Sequence, residues 1–299
     1  MEAIPFIDAH VHLWDLKRLR YAWLTPPFGE EGPNGSVEAI ARTYLPPDYA
    51  VDAARWNVVG TVHVDAGAHP EDALAETEWL EGLGEAHGMP TAIVAYAALE
   101  ARNVDEQLAA QAVHPRVRGI RQIVNWHPDP RRTYSPRDLT IDPEWKRGFA
   151  RLADHGLSFD LQCYPGQMPA MAELCARHPG VRVIVNHMGM PVLSEPDGLA
   201  RWREGLRHLA ELPQVAIKLS GFGFVDRAWT GDSITPLLHE AIALFGTDRC
   251  MFASDFPTDA LWASYDRVLD TCWTAAQSFA EEERHDLFHR SARRWYRLD

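Results

Sequence analysis

The chain has 299 residues, of which 46% are hydrophobic and 24% charged, a composition typical of a folded globular protein and not of a disordered one. Its 29 Lys and Arg residues against 42 Asp and Glu residues give a net charge of −13, which argues against binding to nucleic acid or to anionic lipid. The four cysteines have no metal-site spacing, and no apolar run reaches membrane-spanning length, so we expect a cytoplasmic protein without disulfides.

Eight short apolar runs, rich in Val and Ile, recur along the chain and predict strands that are buried on both faces. The runs are Ile4–Ala9, Val58–Val64, Thr91–Ala97, Val117–Val124, Leu157–Cys163, Val181–Asn186, Val215–Leu219 and Cys250–Ser254. Successive runs are far enough apart for a crossover helix each time, which predicts a parallel sheet.

Stretches with apolar residues three and four positions apart lie between these runs and predict helices. They are Pro70–Ala86, Pro143–His155, Pro169–Arg177, Gly198–Glu211, Ser233–Phe245, Leu261–Phe279 and Ala280–Leu298, the last read as one closing helix. Eight strand–helix units in one chain of this length predict an α/β fold, a single (β/α)8 TIM-barrel domain over residues 1–299.

Four long irregular stretches each follow a predicted strand and therefore belong to the C-terminal face of the barrel, where barrel enzymes keep their chemistry. They are Leu13–Pro47, Asn125–Asp142, Met188–Asp197 and Gly221–Asp232. Tryptophans in the first two, Trp14, Trp23 and Trp126, are predicted to contact the substrate, since indoles form platforms for a sugar face or a flat ring. The alternative is that each indole fills space between long loops.

The segment Asp8-Ala9-His10-Val11-His12 stands at the end of the first predicted strand. Residues two apart on a strand face the same way, so His10 and His12 are expected to point together into the barrel mouth. Two imidazoles aimed at one point suit a divalent metal or an oxyanion. The alternative is a pair of neutral histidines that are hydrogen-bonded to the backbone.

Two further candidates, His187 and Asp255, stand at the ends of the sixth and eighth predicted strands. Strands one and eight are neighbours in a closed barrel, so Asp255 is expected to face His10 and His12. There it would ligate a metal or take a proton from water. The alternatives are that His187 orders the loop after it and that Asp255 caps the next helix.

Polar residues also occur near the ends of the other predicted strands. They are His63 and Asp65 on strand two, Arg121 on strand four, Gln162 on strand five, and Lys218 and Ser220 on strand seven. Each either lines the mouth or belongs to the polar layers that fill a barrel interior. We expect Arg121 to take part in catalysis and Gln162 to contact the substrate.

Together these residues resemble the amidohydrolase superfamily, and within it the lactonase branch of fuconolactonase-like, rhamnonolactonase-like and pyrone-dicarboxylate lactonases. The similar segments span nearly the whole chain. They are Ile7-Asp8-Ala9-His10-Val11-His12-Leu13-Trp14-Asp15, Tyr21-Ala22-Trp23-Leu24, Val117-Arg118-Gly119-Ile120-Arg121, Asn186-His187-Met188-Gly189-Met190-Pro191, Lys218-Leu219-Ser220-Gly221 and Ala253-Ser254-Asp255-Phe256-Pro257.

The resemblance implies a TIM barrel with its site at the strand C-termini, with His10, His12 and Asp255 as metal ligands and His187 beside them. Binuclear members of the superfamily carry a bridging Lys on strand four and a His on strand five, where this chain has Arg121 and Gln162. A binuclear centre is therefore not expected. The resemblance implies one divalent ion, with Zn²⁺ the best match to the ligands, or no ion at all.

The function expected from the resemblance is a hydrolase of carbohydrate metabolism that opens a small lactone. Asp255 would activate water, and a metal, or His10, His12 and His187 with Arg121, would hold the oxyanion. Few arginines are placed in the mouth by the sequence, which favours a sugar lactone over a dicarboxylate. The alternatives are a metal-dependent amidohydrolase or decarboxylase, and a barrel that only binds. The expected partner is a small-molecule substrate, and a homo-oligomer stays open.

Overall fold

The computed structural model describes residues 4–30 and 32–298, so residues 1–3, 31 and 299 of the predicted domain lie outside the described residues. Eight parallel strands form one sheet in chain order, each paired with the next. They are β1 (Phe6–Val11), β2 (Val58–Val64), β3 (Ala92–Tyr96), β4 (Val117–Arg121), β5 (Ser158–Leu161), β6 (Val183–Val185), β7 (Val215–Leu219) and β8 (Cys250–Phe252). The predicted (β/α)8 barrel is confirmed.

The sheet closes on itself between β1 and β8. Val11 forms a parallel bridge with Phe256. The backbone N–H of Asp255 donates to the His10 carbonyl (2.9 Å), and that of His12 donates to the Phe256 carbonyl (2.8 Å). The segment after β8 is thereby fixed against the end of β1, which removes the free sheet edge and brings two candidate site segments together.

Helices surround the barrel. They are α1 (Pro46–Asp52), α2 (Ala73–His87), α3 (Val104–Ala112), α4 (Pro143–Arg151), α5 (Met168–Arg177), α6 (Gly198–Ala210), α7 (Phe222–Val225), α8 (Gly231–Phe245), α9 (Tyr265–Ala276), α10 (Glu281–His285) and α11 (Ser291–Trp295). Among these, α1, α3 and α7 were not predicted from the sequence. The closing helix predicted over Ala280–Leu298 is present as a continuous helical segment from Glu281 to Trp295, in which a π-helical turn at Asp286–Arg290 stands between α10 and α11.

The barrel interior contains one cluster of buried apolar residues. Strand residues pack in this cluster with Trp295, Tyr296 and Leu298 from the last segment of the chain. The strand residues are Ile7, Ala9, Val62, Val64, Ala92, Val94, Ile184, Ala216, Met251 and Ala253. That segment is held at the strand starts, where the Arg297 side chain donates to the Arg118 carbonyl (2.6 Å) and Arg182 donates to the Arg294 carbonyl (3.3 Å). The candidate site residues stand at or just after the C-terminal ends of the strands.

Among the described residues, none of the helices combines the length and the apolar character that crossing a bilayer requires.

Candidate active site

The orientation of His10 and His12 depends on an irregularity in β1. Ile7 and Ala9 pack in the barrel interior, so strict alternation would turn His10 and His12 outward. Between Asp8 and Val11 the pairing shifts, because Asp8 lies opposite Thr61 but Val11 lies opposite His63. Three residues of β1 thus lie along two residues of β2, as in a β-bulge. The side chains after the bulge therefore face the opposite side from the one that strict alternation predicts.

Asp8 holds this irregular segment from outside the barrel. Its carboxylate accepts hydrogen bonds from the hydroxyls of Tyr49 on α1 (2.9 Å) and Tyr265 on α9 (3.0 Å) and from the backbone N–H of Ser254 (2.9 Å). These bonds join β1 to the segment after β8 one residue before Asp255. The sequence suggested no role for Asp8, although it stands two residues before His10.

The segments that carry His187 and Asp255 have unusual backbone. Five non-glycine residues among those described have positive φ, and four of them are His187 (52°), Met188 (55°), Met190 (47°) and Asp255 (58°). This conformation is costly for residues with a Cβ and tends to cluster at functional sites. At both positions it turns the chain sharply where the strand ends.

The side chains of His10, His12, His187 and Asp255 lie close together. Oδ1 of Asp255 lies 3.3 Å from Nε2 of His10 and 3.3 Å from Nε2 of His12. The His10 ring centroid is 4.7 Å from that of His187 and 4.9 Å from that of His12. All four residues are buried, with His12 the most exposed at 5%. The expectation that Asp255 faces the histidines therefore matches the geometry.

Burial governs the electrostatics of this group. It lowers the pKa of His12 to about 3 and that of His187 to about 3, and it lowers the pKa of His10 well below its usual value. It raises the pKa of Asp255 to about 6, against the opposing effects of His187, Arg121 and Lys218. At neutral pH the site thus holds three uncharged imidazoles and one carboxylate.

Arg121 and Gln162 form a second polar group beside this one. Arg121 donates through Nη1 to Oε1 of Gln162 (3.1 Å) and through Nη2 to the backbone carbonyl of Asp65. Its Nη2 is also 3.4 Å from Oδ2 of Asp65, and Arg121 is only 4% exposed. The Arg121 charge acts on His12, His187 and Asp255. Arg121 and Gln162 therefore form one hydrogen-bonded group next to the histidines.

Below the histidines lies a buried ion pair that sequence reasoning did not find. Nζ of Lys218 on β7 donates to Oδ2 of Asp160 on β5 (2.6 Å), and the Tyr296 hydroxyl donates to the same oxygen (2.8 Å). Nζ of Lys218 is also 3.4 Å from Nδ1 of His10. Burial lowers the pKa of Lys218, and the Asp160 carboxylate opposes that effect. The sequence does contain a signal for Asp160. It stands two residues before Gln162, so the two side chains are expected on the same face of the strand.

The predicted tryptophans have different surroundings. Trp14 is fully buried, and its Nε1 donates to the Arg42 carbonyl (2.6 Å). Trp23 donates through Nε1 to the Ala66 carbonyl (2.9 Å) and packs edge-on against Trp14 at 5.5 Å. Trp126 is 37% exposed and lines a cavity of about 570 Å³ formed by the loops after β4, β5 and β6. Of the three, Trp126 presents the most open surface to a ligand.

A second cavity, of about 670 Å³, has Tyr134, Met190, Phe224 and Arg227 in its lining, and it adjoins the site through Phe224. The Phe224 ring lies 4.9 Å from that of His187. Two loops meet over this cavity, because the Tyr134 hydroxyl donates to Oδ1 of Asn34 (2.7 Å). Sequence reasoning missed Tyr134 and Phe224, since neither stands at a strand end.

The side chains fit a divalent ion by donor type and separation. His10, His187 and Asp255 each offer one ligand atom, and these atoms all lie within 4.8 Å of one another. Nε2 of His10 and both carboxylate oxygens of Asp255 are buried and accept or donate no hydrogen bond among the described residues. His12 donates through Nδ1 to the Val64 carbonyl (2.7 Å), which leaves Nε2 bare, as in many metal-bound histidines. Such a nitrogen–oxygen set is typical of zinc sites with an open position.

Comparison with known proteins places this geometry in a family. A family model described as "Amidohydrolase" matches residues 7–298. The chain is 42% identical, over the full length of both chains, to an uncharacterized protein, y4mH, of Sinorhizobium fredii. It is 31% identical to an L-fucono-1,5-lactonase of Burkholderia multivorans, over 98% of this chain and 96% of that one. A crystal structure of a zinc-bound amidohydrolase from Burkholderia multivorans superposes with a TM-score of 0.81 at 31% identity, covering 98% of this chain and 99% of that chain.

Proposed function

The chain belongs to the amidohydrolase family, in its lactone-hydrolysing branch, and on that premise we propose that it opens a small sugar lactone with water activated by Asp255. One observation carries the proposal. A buried carboxylate with no hydrogen bond to the described residues stands 3.3 Å from the Nε2 atoms of two neutral histidines. Such a carboxylate is free to bind water and to take its proton.

The base in the proposed reaction is Asp255. A water molecule held by its carboxylate loses a proton to Oδ1 or Oδ2 as the water oxygen attacks the lactone carbonyl carbon. Burial raises the pKa of Asp255 to about 6, which makes it a stronger base than an exposed aspartate while leaving it ionised at neutral pH. The neutral imidazoles beside it do not draw the proton away, since the pKa values of His12 and His187 are about 3.

The negative charge that develops on the carbonyl oxygen needs hydrogen-bond donors. Without an ion in the site, Arg121 supplies a fixed positive charge, and His187, whose Nδ1 lies 3.1 Å from Oγ of Ser220, and His10 supply ring N–H groups. Neutral His12 differs, because its Nδ1–H is used by the Val64 carbonyl and its Nε2 can only accept. We therefore give His12 the task of orienting the attacking water. One oxyanion donor contributes roughly 10²- to 10³-fold in rate.

The ring opens when the tetrahedral intermediate collapses. The bond between the carbonyl carbon and the ring oxygen breaks, and the proton held by Asp255 passes to the leaving alkoxide. The products are one carboxylate and one hydroxyl group on the same molecule, so atoms and charge balance without an oxidant. Asp255 is ionised again once it has given up this proton, and the proton of the new carboxylic acid is lost to solvent.

A divalent ion in this site would be held by His10, His12, His187 and Asp255. When bound, it would polarise the carbonyl oxygen and lower the pKa of a coordinated water. We propose Zn²⁺ as that ion because of the nitrogen and carboxylate donors.

The proposed substrate is a sugar lactone because the arginines of the adjoining cavity already have protein partners. Arg132 donates to Oγ of Ser194 (2.7 Å), and Arg227 donates to the Pro33 carbonyl (3.1 Å). Arg131 pairs with Asp129 at 2.8 Å. A dicarboxylate would need such guanidinium groups for bidentate contacts. A neutral polyol ring instead packs against aromatic faces, which Tyr134, Tyr164 and Trp126 offer around the two cavities.

The test is a hydrolysis screen with a pH indicator on a panel of sugar lactones, joined to elemental analysis of the purified protein. We expect acid release from at least one sugar lactone. Acid release that survives chelation assigns the reaction to Asp255 and the histidines alone, and loss on chelation assigns the ion a catalytic part. If no lactone releases acid but an aromatic acid yields carbon dioxide, the lactonase proposal is wrong.

The pH dependence of kcat/KM follows from the raised pKa of Asp255. In chelator-treated protein, kcat/KM should fall as the pH drops through about 6, by about tenfold for each further pH unit, because the base acts only when ionised. The histidines should cause no further change in kcat/KM near neutral pH, since burial keeps them uncharged. If kcat/KM instead falls only at about pH 4, the pKa of an exposed aspartate, this role of Asp255 is contradicted.

A further inference from the structure

Asp8 is a buried acidic residue of β1 that has no part in the steps above. Its neighbours Ile7 and Ala9 pack in the interior cluster, so the side chain between them points toward the surrounding helices. It is fully buried there, at 0% exposed. The two oxygens of its carboxylate bind two different parts of the fold.

Oδ1 of Asp8 binds the backbone of the two segments that carry the site. It accepts from the backbone N–H of Ser254 (2.9 Å), the residue before Asp255, and from the backbone N–H of His10 (3.4 Å). A backbone N–H can only donate, so the direction of both bonds is certain. One oxygen atom therefore joins the two chain segments from which His10, His12 and Asp255 project.

Oδ2 of Asp8 binds the helices outside the barrel. It accepts from the hydroxyl of Tyr49 on α1 (2.9 Å) and from that of Tyr265 on α9 (3.0 Å). The two tyrosine rings pack edge-on, with their centroids 5.7 Å apart. The ring of Tyr265 also packs against that of Phe256 at 5.1 Å, just beyond Asp255. The carboxylate of Asp8 is thus fixed to two helices at the point where it binds the strand ends.

Both bound segments need such support, because neither has regular backbone. In β1, the pairing with β2 shifts just after Asp8, in the stretch that contains His10. After β8, Asp255 has a positive φ of 58°, which a residue with a Cβ keeps only where the surrounding structure enforces it. The bond from the Ser254 N–H to Asp8 is one such constraint, and the bond from the Phe256 N–H to Oγ of Ser254 (3.1 Å) is another.

We propose that Asp8 is a positioning residue, whose carboxylate holds the two histidines of β1 and Asp255 at one fixed separation. The backbone N–H of Asp255 donates to the His10 carbonyl (2.9 Å), and Asp8 secures the same junction from the side of the helices. With this junction fixed, Nε2 of His10 and Nε2 of His12 both lie 3.3 Å from Oδ1 of Asp255. In the proposed function, on which this last step rests, that separation aligns the base with the groups around the carbonyl oxygen of the lactone.

The test compares the wild type with Asp8→Ala and Asp8→Asn, all in metal-free form. Alanine removes both acceptors, whereas asparagine keeps one. Because the Ser254 N–H can only donate, the amide oxygen must take the place of Oδ1, and the amide NH₂ then faces the tyrosine hydroxyls, which can accept. Thermal unfolding of each variant reports whether the fold is kept.

Asp52→Ala is the matched control. Asp52 also accepts from a tyrosine hydroxyl, that of Tyr44 (2.6 Å), and it stands at the C-terminal end of α1. Among the described residues, its side chain has no hydrogen bond to β1 or to the segment after β8. The control therefore removes a similar bond without touching the junction.

The first readout is amide hydrogen exchange, followed by mass spectrometry of short peptides. The amides of Asp255 and His12 link β1 to the segment after β8. In Asp8→Ala we expect both to exchange roughly tenfold faster or more, and the amides between β5 and β6 to change far less, because the loss is local. In Asp8→Asn and Asp52→Ala both should stay near the wild-type rate. The proposal is overturned if, in a folded Asp8→Ala protein, the two amides exchange as in the wild type or speed up no more than those of β5 and β6.

Tyr265→Phe takes the place of Asp8→Ala if the alanine variant does not fold. It removes one hydroxyl from Oδ2 of Asp8 and retains the ring that packs against Phe256. We expect the amides of Asp255 and His12 to exchange about threefold faster than in the wild type, because one anchor of the carboxylate is lost. Unchanged exchange at these two amides would contradict the role of Asp8.

The second readout separates kcat from KM on a lactone that the wild type hydrolyses. Asp8→Ala should lose roughly 10- to 100-fold in kcat with KM changed by less than about threefold, because misaligned groups act on the transition state. Asp8→Asn should recover most of the lost kcat. Wild-type kcat in an Asp8→Ala protein with faster exchange would refute the catalytic part. If the wild type opens no lactone, the proposed function fails, whereas the exchange measurement still decides the role of Asp8.

Discussion

Replacing Asp255 with Asn is expected to lower kcat by about 10²- to 10⁴-fold while the fold is retained. The amide has nearly the shape of the carboxylate but cannot take a proton from water. The fold should hold because neither carboxylate oxygen accepts a hydrogen bond from the described residues. Burial also disfavours the charged form that the substitution removes, as the raised pKa of Asp255 shows.

The measurement is single-turnover and steady-state hydrolysis of a lactone, with circular dichroism and thermal unfolding alongside. Asp270→Asn serves as the matched control, since Asp270 is a half-exposed residue of α9 that pairs with Arg55 outside the barrel. Asp255→Ala excludes activity that returns when the new amide deamidates. A folded Asp255→Asn protein with wild-type kcat would rule out Asp255 as the base.

Replacing Arg121 with Met is expected to lower kcat/KM by roughly 10²- to 10³-fold, the range seen when one oxyanion donor is lost. Arg121 is buried, and its charge acts on His12, His187 and Asp255. Its removal also takes away the hydrogen bonds that it donates to Gln162 and to the Asp65 carbonyl. Some loss of stability should accompany the loss of activity, because breaking a buried pair is costly.

Arg121→Lys separates the two effects. A lysine keeps the charge but loses the planar fork that reaches Gln162 and Asp65 together, so we expect an intermediate loss of kcat/KM. Arg118→Met, at the other end of β4, is the control, since Arg118 contacts the Pro115 and Arg297 carbonyls at the strand start. A stable Arg121→Met protein with unchanged kcat/KM would show that Arg121 has no catalytic part.

The strands and the candidate site residues could be predicted from the sequence because their signals are local. Short Val- and Ile-rich runs between amphipathic stretches require a buried parallel sheet, whatever the rest of the chain does. A histidine or aspartate just after such a run must lie at the C-terminal edge of the sheet. Asp255, His187 and the His10–His12 pair follow from that rule alone.

The sequence did not predict in the same way whether an individual side chain points into or out of the barrel. The expectation that His10 and His12 point inward agrees with the structure, but only the bulge between Asp8 and Val11 makes it so. A bulge depends on what the partner strand and the flanking helices offer, and here the hydroxyls of Tyr49 and Tyr265 hold Asp8 outside. Trp14 likewise is buried against Arg42 and Tyr44, which are distant from it in the chain.

By itself, the sequence determined the (β/α)8 barrel and the set of histidines and aspartate at one of its ends. The spacing of apolar residues, the length of apolar runs and the position of a residue after such a run are local properties of the sequence. They do not depend on how the side chains pack. Only the tertiary structure decided how these residues are tuned. Asp160, Lys218 and Tyr296 come from two strands and the last segment of the chain, and they meet beneath His10. No periodicity couples such positions, because barrel closure and the packing of the C-terminal segment set their distances.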